Sequence, residues 1–350
     1  MKRLQFLCLA LTVLVSGCTV HSIGTDTGIK MSEISQTTDD LIEEQSMAVA
    51  YSGFRAGQHP DRGEGANNPG EDEILEDLRI LVDHGFKLIR LYDSGENSLS
   101  TLKLIHENKL PIKVLLGAWL KAEVSNHEGC SWLDQPIPDE QLVANMLDNA
   151  AELRRNFRLA NQYEDIITAV NIGNEALVDW NDHMVPVEKV IEYVRQAKSA
   201  IKQPVTVADN YEWWIRDGAE LAEEVDFLGV HTYPAWENKT IDEALDYSIE
   251  NIRNVRVALP GKPIAVLEAG WATTASEFGT RASEANQARY FQELGNFAVE
   301  TNTTIFFFEA FDEPWKGNPD DELGAEKHWG LFYVDRRPKH VMHSVKHSIN

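Results

Sequence analysis

From Met47 onward, short apolar runs alternate with longer stretches of amphipathic, helix-like period. A short apolar run bounded by turn residues predicts a strand, and apolar positions recurring every turn of 3.6 residues predict a helix. On that reading strands cover Met47–Phe54, Lys87–Tyr92, Ile112–Ala118, Ile166–Ile172, Val205–Ala208, Val225–His231, Pro263–Glu268 and Thr304–Glu309. Helical patterns include Asp72–His84, Asp139–Leu159, Val187–Ile201, Thr240–Ala258 and Ser283–Glu300, with a last helix from about Lys339 to His347. Several strands, such as Ile264-Ala265-Val266-Leu267, are apolar without alternation, as strands are when a parallel sheet is covered on both faces. Eight strand–helix units predict an α/β fold closed into a (β/α)8, or TIM, barrel. No strand-to-helix turn carries the Gly-rich dinucleotide fingerprint that would favour an open doubly wound sheet. No Pro- or Ser-rich linker interrupts residues 46–350, which therefore form one domain.

The N-terminus follows different rules. Lys2 and Arg3 precede an apolar run from Leu4 to Val15 that is too short to span a bilayer, and small residues lead into Cys18. That order predicts a secretory signal over residues 1–17. The string Val15-Ser16-Gly17-Cys18 resembles the bacterial lipobox, which implies diacylation of Cys18 and a lipid anchor at the cell envelope or surface. Residues 18–45 are polar and read as a flexible tether. Of the three cysteines, Cys8 lies in the signal and Cys18 takes the lipid, so Cys130 has no partner for an internal disulfide.

The formal net charge of -24 makes nucleic acid and the surface of anionic lipid poor partners and fits a neutral ligand. Within a (β/α)8 barrel, function sits at the C-terminal ends of the strands. Polar and aromatic residues gather there: Arg90-Leu91-Tyr92-Asp93, Asn171-Ile172-Gly173-Asn174-Glu175, Ala208-Asp209-Asn210-Tyr211, His231-Thr232-Tyr233-Pro234, Glu268-Ala269-Gly270-Trp271 and Glu309-Ala310-Phe311-Asp312-Glu313. Glu175 and Glu268 follow strands half a barrel apart, so their carboxyls can face each other across the mouth. Glycosidic bond cleavage needs such a pair, one protonated to assist the leaving oxygen and one ionised to attack or to activate water. Each glutamate alone could equally be a helix N-terminal carboxylate; the Asn-Glu after strand four combined with the Glu after strand seven is the specific signal.

These motifs resemble glycoside hydrolase family 17, the β-1,3-glucanase family, over about residues 47–340. Ile172-Gly173-Asn174-Glu175-Ala176 is similar to the family's acid/base segment and Glu268-Ala269-Gly270-Trp271 to its nucleophile segment. The stretch Phe311-Asp312-Glu313-Pro314-Trp315-Lys316, then Glu326 and Trp329-Gly330-Leu331-Phe332, is similar to its C-terminal pattern. The resemblance implies that Glu175 is acid/base and Glu268 the covalent nucleophile of a retaining, double-displacement hydrolase. It also implies substrate contacts from Tyr51, Asn174, Tyr233, Trp271, Glu313, Trp315, Lys316 and Glu326, with Tyr233 able to orient Glu268. Ala272-Thr273 and the opening Tyr51-Ser52-Gly53-Phe54-Arg55 depart from plant members and point to a bacterial branch. The substrate expected is a β-1,3-glucan of laminarin type, acted on by a monomer.

Two other functions compete. A β-1,3-glucanosyltransferase would use the same site with a sugar hydroxyl in place of water, and a non-catalytic glycan-binding barrel would dispense with one carboxylate. Nine tryptophans suit sugar faces but also suit a barrel core. His340, His343 and His347 share a helical face away from the active end, so no metal or other cofactor is expected. No lysine stands at a strand C-terminal end where a Schiff base would need it.

Overall fold

The computed structural model describes residues 33–344 apart from 62 and 64. The expected signal, Cys8, Cys18 and His347 lie outside the described residues. Eight parallel strands close in chain order into one barrel: β1 (Met47–Ala50), β2 (Leu88–Leu91), β3 (Lys113–Ala118), β4 (Ile167–Asn174), β5 (Val205–Asn210), β6 (Leu228–His231), β7 (Ile264–Gly270) and β8 (Ile305–Phe308). Helices α1 (Glu71–Asp83), α2 (Glu96–Asn108), α3 (Asp139–Gln162) and α4 (Val187–Ala200) follow the first four strands. Two short helices, α5 (Tyr211–Asp217) and α6 (Ala219–Glu224), follow β5; then come α7 (Ile241–Ala258), α8 (Glu284–Thr301) and the terminal α9 (His340–Ser344).

The uniform burial of the strands explains their lack of alternation. One face packs on the helices, and the other fills the barrel with Ala48, Leu88, Leu115, Ala169, Ala208, Ala265, Leu267 and Phe306. Local chemistry starts the helices where the sequence places them. Thr240 and Glu243 close a capping box on α7, and the Ser283 hydroxyl accepts the Asn286 amide at the start of α8. Strand β1 is shorter than its apolar run, because the chain leaves the sheet at Tyr51 and turns through Gly53 at φ 75°.

The expected tether is docked over the part that is described. Ile34 is fully buried, and Gln36 exchanges hydrogen bonds with the Ile264 backbone at the start of β7. Ile42 packs against the barrel interior from below. These apolar and amide side chains seal the N-terminal end of the barrel, so residues 33–45 belong to the fold; the rest of the 18–45 stretch lies outside the described residues.

Helix α3 is turned inside out over its N-terminal half, before Leu153, Leu159 and Ala160 bring apolar residues to the core. Asn145, Asn149, Glu152 and Asn156 face inward, whereas Val143, Met146 and Leu147 are exposed. The inward amides grip backbone rather than core. Asn149 accepts the Lys121 amide and donates to its carbonyl at 2.8 and 2.9 Å, Asn145 donates to Ala122 O, and Asn156 to Gly117 O. The chain after β3 has no sheet partner for the Lys121 and Ala122 groups, and a polar helix face supplies them.

Candidate active site

Strand alternation alone would aim the two glutamates poorly. Leu267 fills the barrel interior, so its neighbour Glu268 should face outward. Register shifts between β6 and β7 and between β7 and β8 bracket this point, and such bulges re-aim the following side chain. A further shift lies between Asn171 and Asn174 on β4, where Gly173 takes φ 80° and Glu175 φ 48°. The result brings Asn174, Glu175 and Glu268 to one mouth.

Leu88, Arg90 and Tyr92 share the inward face of β2, so a charged guanidinium sits in the barrel with no exposure. Its partners justify it. One Arg90 nitrogen donates to Glu268 Oε1 at 2.8 Å and to Leu267 O at 3.0 Å; the other donates to Asn174 Oδ1 at 2.5 Å. The Tyr92 hydroxyl donates to Glu268 Oε1 at 2.9 Å, and the Tyr233 hydroxyl to Oε2 at 2.5 Å. Arg90 also approaches His231 Nε2 at 3.3 Å, and His231 Nδ1 lies 3.0 Å from Glu175 Oε1 and 3.6 Å from Glu268 Oε2.

Electrostatics separate the two carboxyls. Burial pushes Glu268 up, but the His231 ring, Arg90 and the two tyrosine hydroxyls outweigh it and hold the group below its ordinary value. Glu175 is more exposed and, among the described residues, pairs with no arginine or lysine; His231 Nδ1 lies 3.0 Å from its Oε1, and Asn181 donates to its Oε2 and to its carbonyl, each at 3.2 Å. Beneath it, Asp209 is wholly buried, and burial together with the Glu175 charge raises its carboxyl well above the usual range. Asp209 accepts the Leu177 amide at 3.0 Å and so fixes the turn after Glu175. Tyr92 and Tyr233 are pushed up, first by burial and then by Glu268, so both remain protonated donors.

One ligand atom each of Glu175, His231 and Glu268 lies within 4.8 Å of the others. That spacing could also admit a metal ion, but Arg90 already neutralises Glu268 and the tyrosines point protons at it. For two facing carboxyls it is close to the about 5–5.5 Å of retaining glycosidases and short of the about 6.5–9.5 Å that leaves room for an inverting water.

The other residues singled out in the sequence divide. Tyr233 reaches Glu268, and Asn174 lies beside it with Oδ1 held by Arg90. Glu313 and Lys316 come together with Glu309 at the end of β8: Lys316 pairs with Glu309 and, at 2.8 Å, with Glu313. Glu313 also accepts the Ser52 hydroxyl at 2.6 Å and the Phe54 amide at 3.2 Å, which ties the loop after β1 to the loop after β8. Glu326 is pushed up to about 7 by burial, opposed by Lys316 and reinforced by Glu175 and Glu268. Trp315 meets Phe54 edge to face. Two residues do not face the mouth. Tyr51 is buried against α1 with its hydroxyl 3.4 Å from Asp77, because the chain has already left the barrel there. Trp271 is fully buried, packs on Tyr290 of α8 and donates to Arg281 O at 2.9 Å, so it cannot stack on a sugar.

Sequence reasoning assigned no role to Arg90, Tyr92, His231 or Glu309. A signal existed for the first: an arginine inside a short apolar strand needs a buried partner. His231 precedes Tyr233 by two residues and so shares its face.

A family model for the BtgE/BtgC glycoside hydrolase domain matches residues 48–330. Glucan 1,3-beta-glucosidases of Arthroderma benhamiae and Schizosaccharomyces pombe are 25% and 27% identical to the chain; the alignments cover 76% and 77% of it and 83% and 80% of those proteins. The chain spans only 45% of the longer probable beta-glucosidase btgE of Emericella nidulans, at 22% identity. Among solved structures, an endo-laminarinase from Formosa superposes with a TM-score of 0.73 at 26% identity, covering 90% of this chain and 91% of that one. A β-1,3-glucanosyltransferase from Rhizomucor miehei shares the fold, with a TM-score of 0.64 at 22% identity over 87% of this chain and 97% of its own. With the match running from β1 past β8 and the paired carboxyls at its centre, this chain belongs to the BtgE/BtgC glycoside hydrolase domain family.

Proposed function

We propose that the enzyme hydrolyses β-1,3-glucan with retention of configuration, Glu268 acting as nucleophile and Glu175 as acid/base. The observation that carries this is the asymmetry of the pair: Arg90, Tyr92 and Tyr233 all donate to Glu268, whereas among the described residues neither an arginine nor a lysine pairs with Glu175, and His231 lies between the two. A Glu268 oxygen attacks the anomeric carbon, the glycosidic C–O bond breaks, and Glu175 gives its proton to the departing oxygen. Glu175, now a carboxylate, takes a proton from water, whose oxygen attacks the same carbon and releases Glu268. The names of the relatives and the motif resemblance to family 17 support β-1,3-glucan as the substrate. Proton NMR of laminarihexaose hydrolysis should show the β-anomer of the new reducing end first, with the α-anomer appearing only by mutarotation. An initial α-product would overturn the mechanism, and no cleavage would overturn the substrate.

We also propose export and anchoring through a diacylated Cys18, on the strength of the basic, apolar and small-residue order of the N-terminus. Radiolabelled palmitate should enter the protein expressed in a bacterium and should not enter Cys18→Ser; equal labelling of both would refute the anchor.

A further inference from the structure

The chain between β3 and α3 and the turn between β4 and α4 carry Trp119, Trp132 and Trp180. Their packing differs. The Trp119 ring lies over His183 at 4.6 Å, while Trp132 is 68% exposed and Trp180 41%. A single exposed indole needs no explanation, but these two stand on segments that are stitched together. Asn126 donates to Asp179 O at 2.7 Å and to Asn181 O at 2.6 Å, and a Cβ on Gly129 would press against the Asp179 carbonyl at 3.0 Å. His183 is fixed to Asn174 O at 2.9 Å, and the inward amides of α3 hold the strand-like chain below. Trp180 thus stands on a backbone tied down on both sides, with its side chain partly open to solvent. Its sequence neighbour Asn181 touches the Glu175 carboxylate.

The chemistry of the site says which part of a glucan lies there. The nucleophile attacks the anomeric carbon from the face opposite the leaving oxygen, and the acid must contact that oxygen. The departing chain therefore extends away from Glu268 and past Glu175, over the turn that bears Trp180. We propose that Trp180, with Trp132 further out, is an aromatic platform for the sugar units on the leaving-group side of the bond being cut. An indole offers a flat apolar face to the C–H face of a sugar ring. The platform gives the enzyme a preference for long chains, both as substrates and as the acceptors that compete with water. This rests on Glu175 being the acid/base.

The test is kcat/KM across laminaritriose to laminariheptaose for the wild-type enzyme, Trp180→Ala, Trp132→Ala and Trp180→Phe. For the longest substrates Trp180→Ala should lose about fivefold to tenfold, the size of one stacking contact, and laminaritriose should change less than about twofold. Trp132→Ala should show a smaller loss that begins at greater chain length, and Trp180→Phe should recover part of it. An equal loss at every length would mean a structural role, and no loss at any length would mean that the tryptophans serve another partner; either overturns the platform. Wild-type activity on the series separates this outcome from failure of the β-1,3-glucan assignment.

Discussion

Glu268→Gln should lose about 10⁴-fold or more in kcat/KM on laminari-oligosaccharides, because the amide keeps the shape of the site but cannot form the glycosyl ester. Glu175→Gln should lose about 10²–10⁴-fold on the same substrates, the usual worth of a positioned proton donor. The two variants differ in what rescues them. With an aryl β-glucoside, whose leaving group needs little protonation, Glu175→Gln should still form the intermediate, and added azide should release it as a β-glycosyl azide. Azide has no intermediate to intercept when the nucleophile is gone; in Glu268→Ala, which leaves space where the carboxylate stood, it can only fill that space and deliver the α-azide. Near-normal glucan cleavage by either Gln variant, or the same azide anomer from Glu175→Gln and Glu268→Ala, would sink the assignment of roles.

The second large effect is expected from Arg90→Met. The side chain has no exposure and its charge answers Glu268, while its other nitrogen holds Asn174. Removing one member of a buried pair leaves the other uncompensated and costs about 3–5 kcal/mol of stability. The pH dependence follows from the sign of the Glu268 shift. In the wild-type enzyme that carboxyl is held low, so it contributes stability above the ordinary carboxylate range that is lost as pH falls through its folded value. Without Arg90, burial gains weight, Glu268 takes up its proton at higher pH, and both that stability and the acidic limb of kcat/KM move upward in pH. Urea unfolding and a pH–rate profile measure the two effects separately. A wild-type unfolding midpoint with an unmoved acidic limb would show that Arg90 is not what holds Glu268 ionised.

These outcomes bear on a family whose members are recognised through short motifs. The Glu-Ala-Gly-Trp segment illustrates how such a motif mixes two kinds of constraint. Glu268 is the proposed nucleophile, Gly270 lets β8 approach so closely that a Cβ would sit 2.2 Å from Phe308 O, and Trp271 fills space against α8. A residue can belong to a catalytic motif for reasons of packing alone, and the exposure of its side chain decides between them. The same holds for Glu313, which joins two mouth loops.

The barrel was legible because its physics is local. Strand and helix periods, Thr240-Ile241-Asp242-Glu243 at one helix start and Ser283 at another are set by residues near one another in the chain. The glutamate pair was legible because strand order in a closed parallel barrel converts chain position into angular position around the mouth. The directions of Tyr51 and Trp271 were not, because each lies just beyond a strand, where the alternation that assigns faces has ended. The inversion of α3 was hidden for another reason: its buried asparagines answer backbone groups of the chain after β3, and those groups have no signature in side-chain pattern. Arg90, His231 and Tyr92 stood in plain view at strand ends, but their roles are long-range pairings across the barrel. By itself, then, the sequence determined the eight strands and most of the long helices, that eight such units close, and which two carboxyls oppose. Only the tertiary structure decided which of them is kept ionised, since that depends on the guanidinium and phenols that folding carries to within hydrogen-bond distance of one carboxyl and not the other.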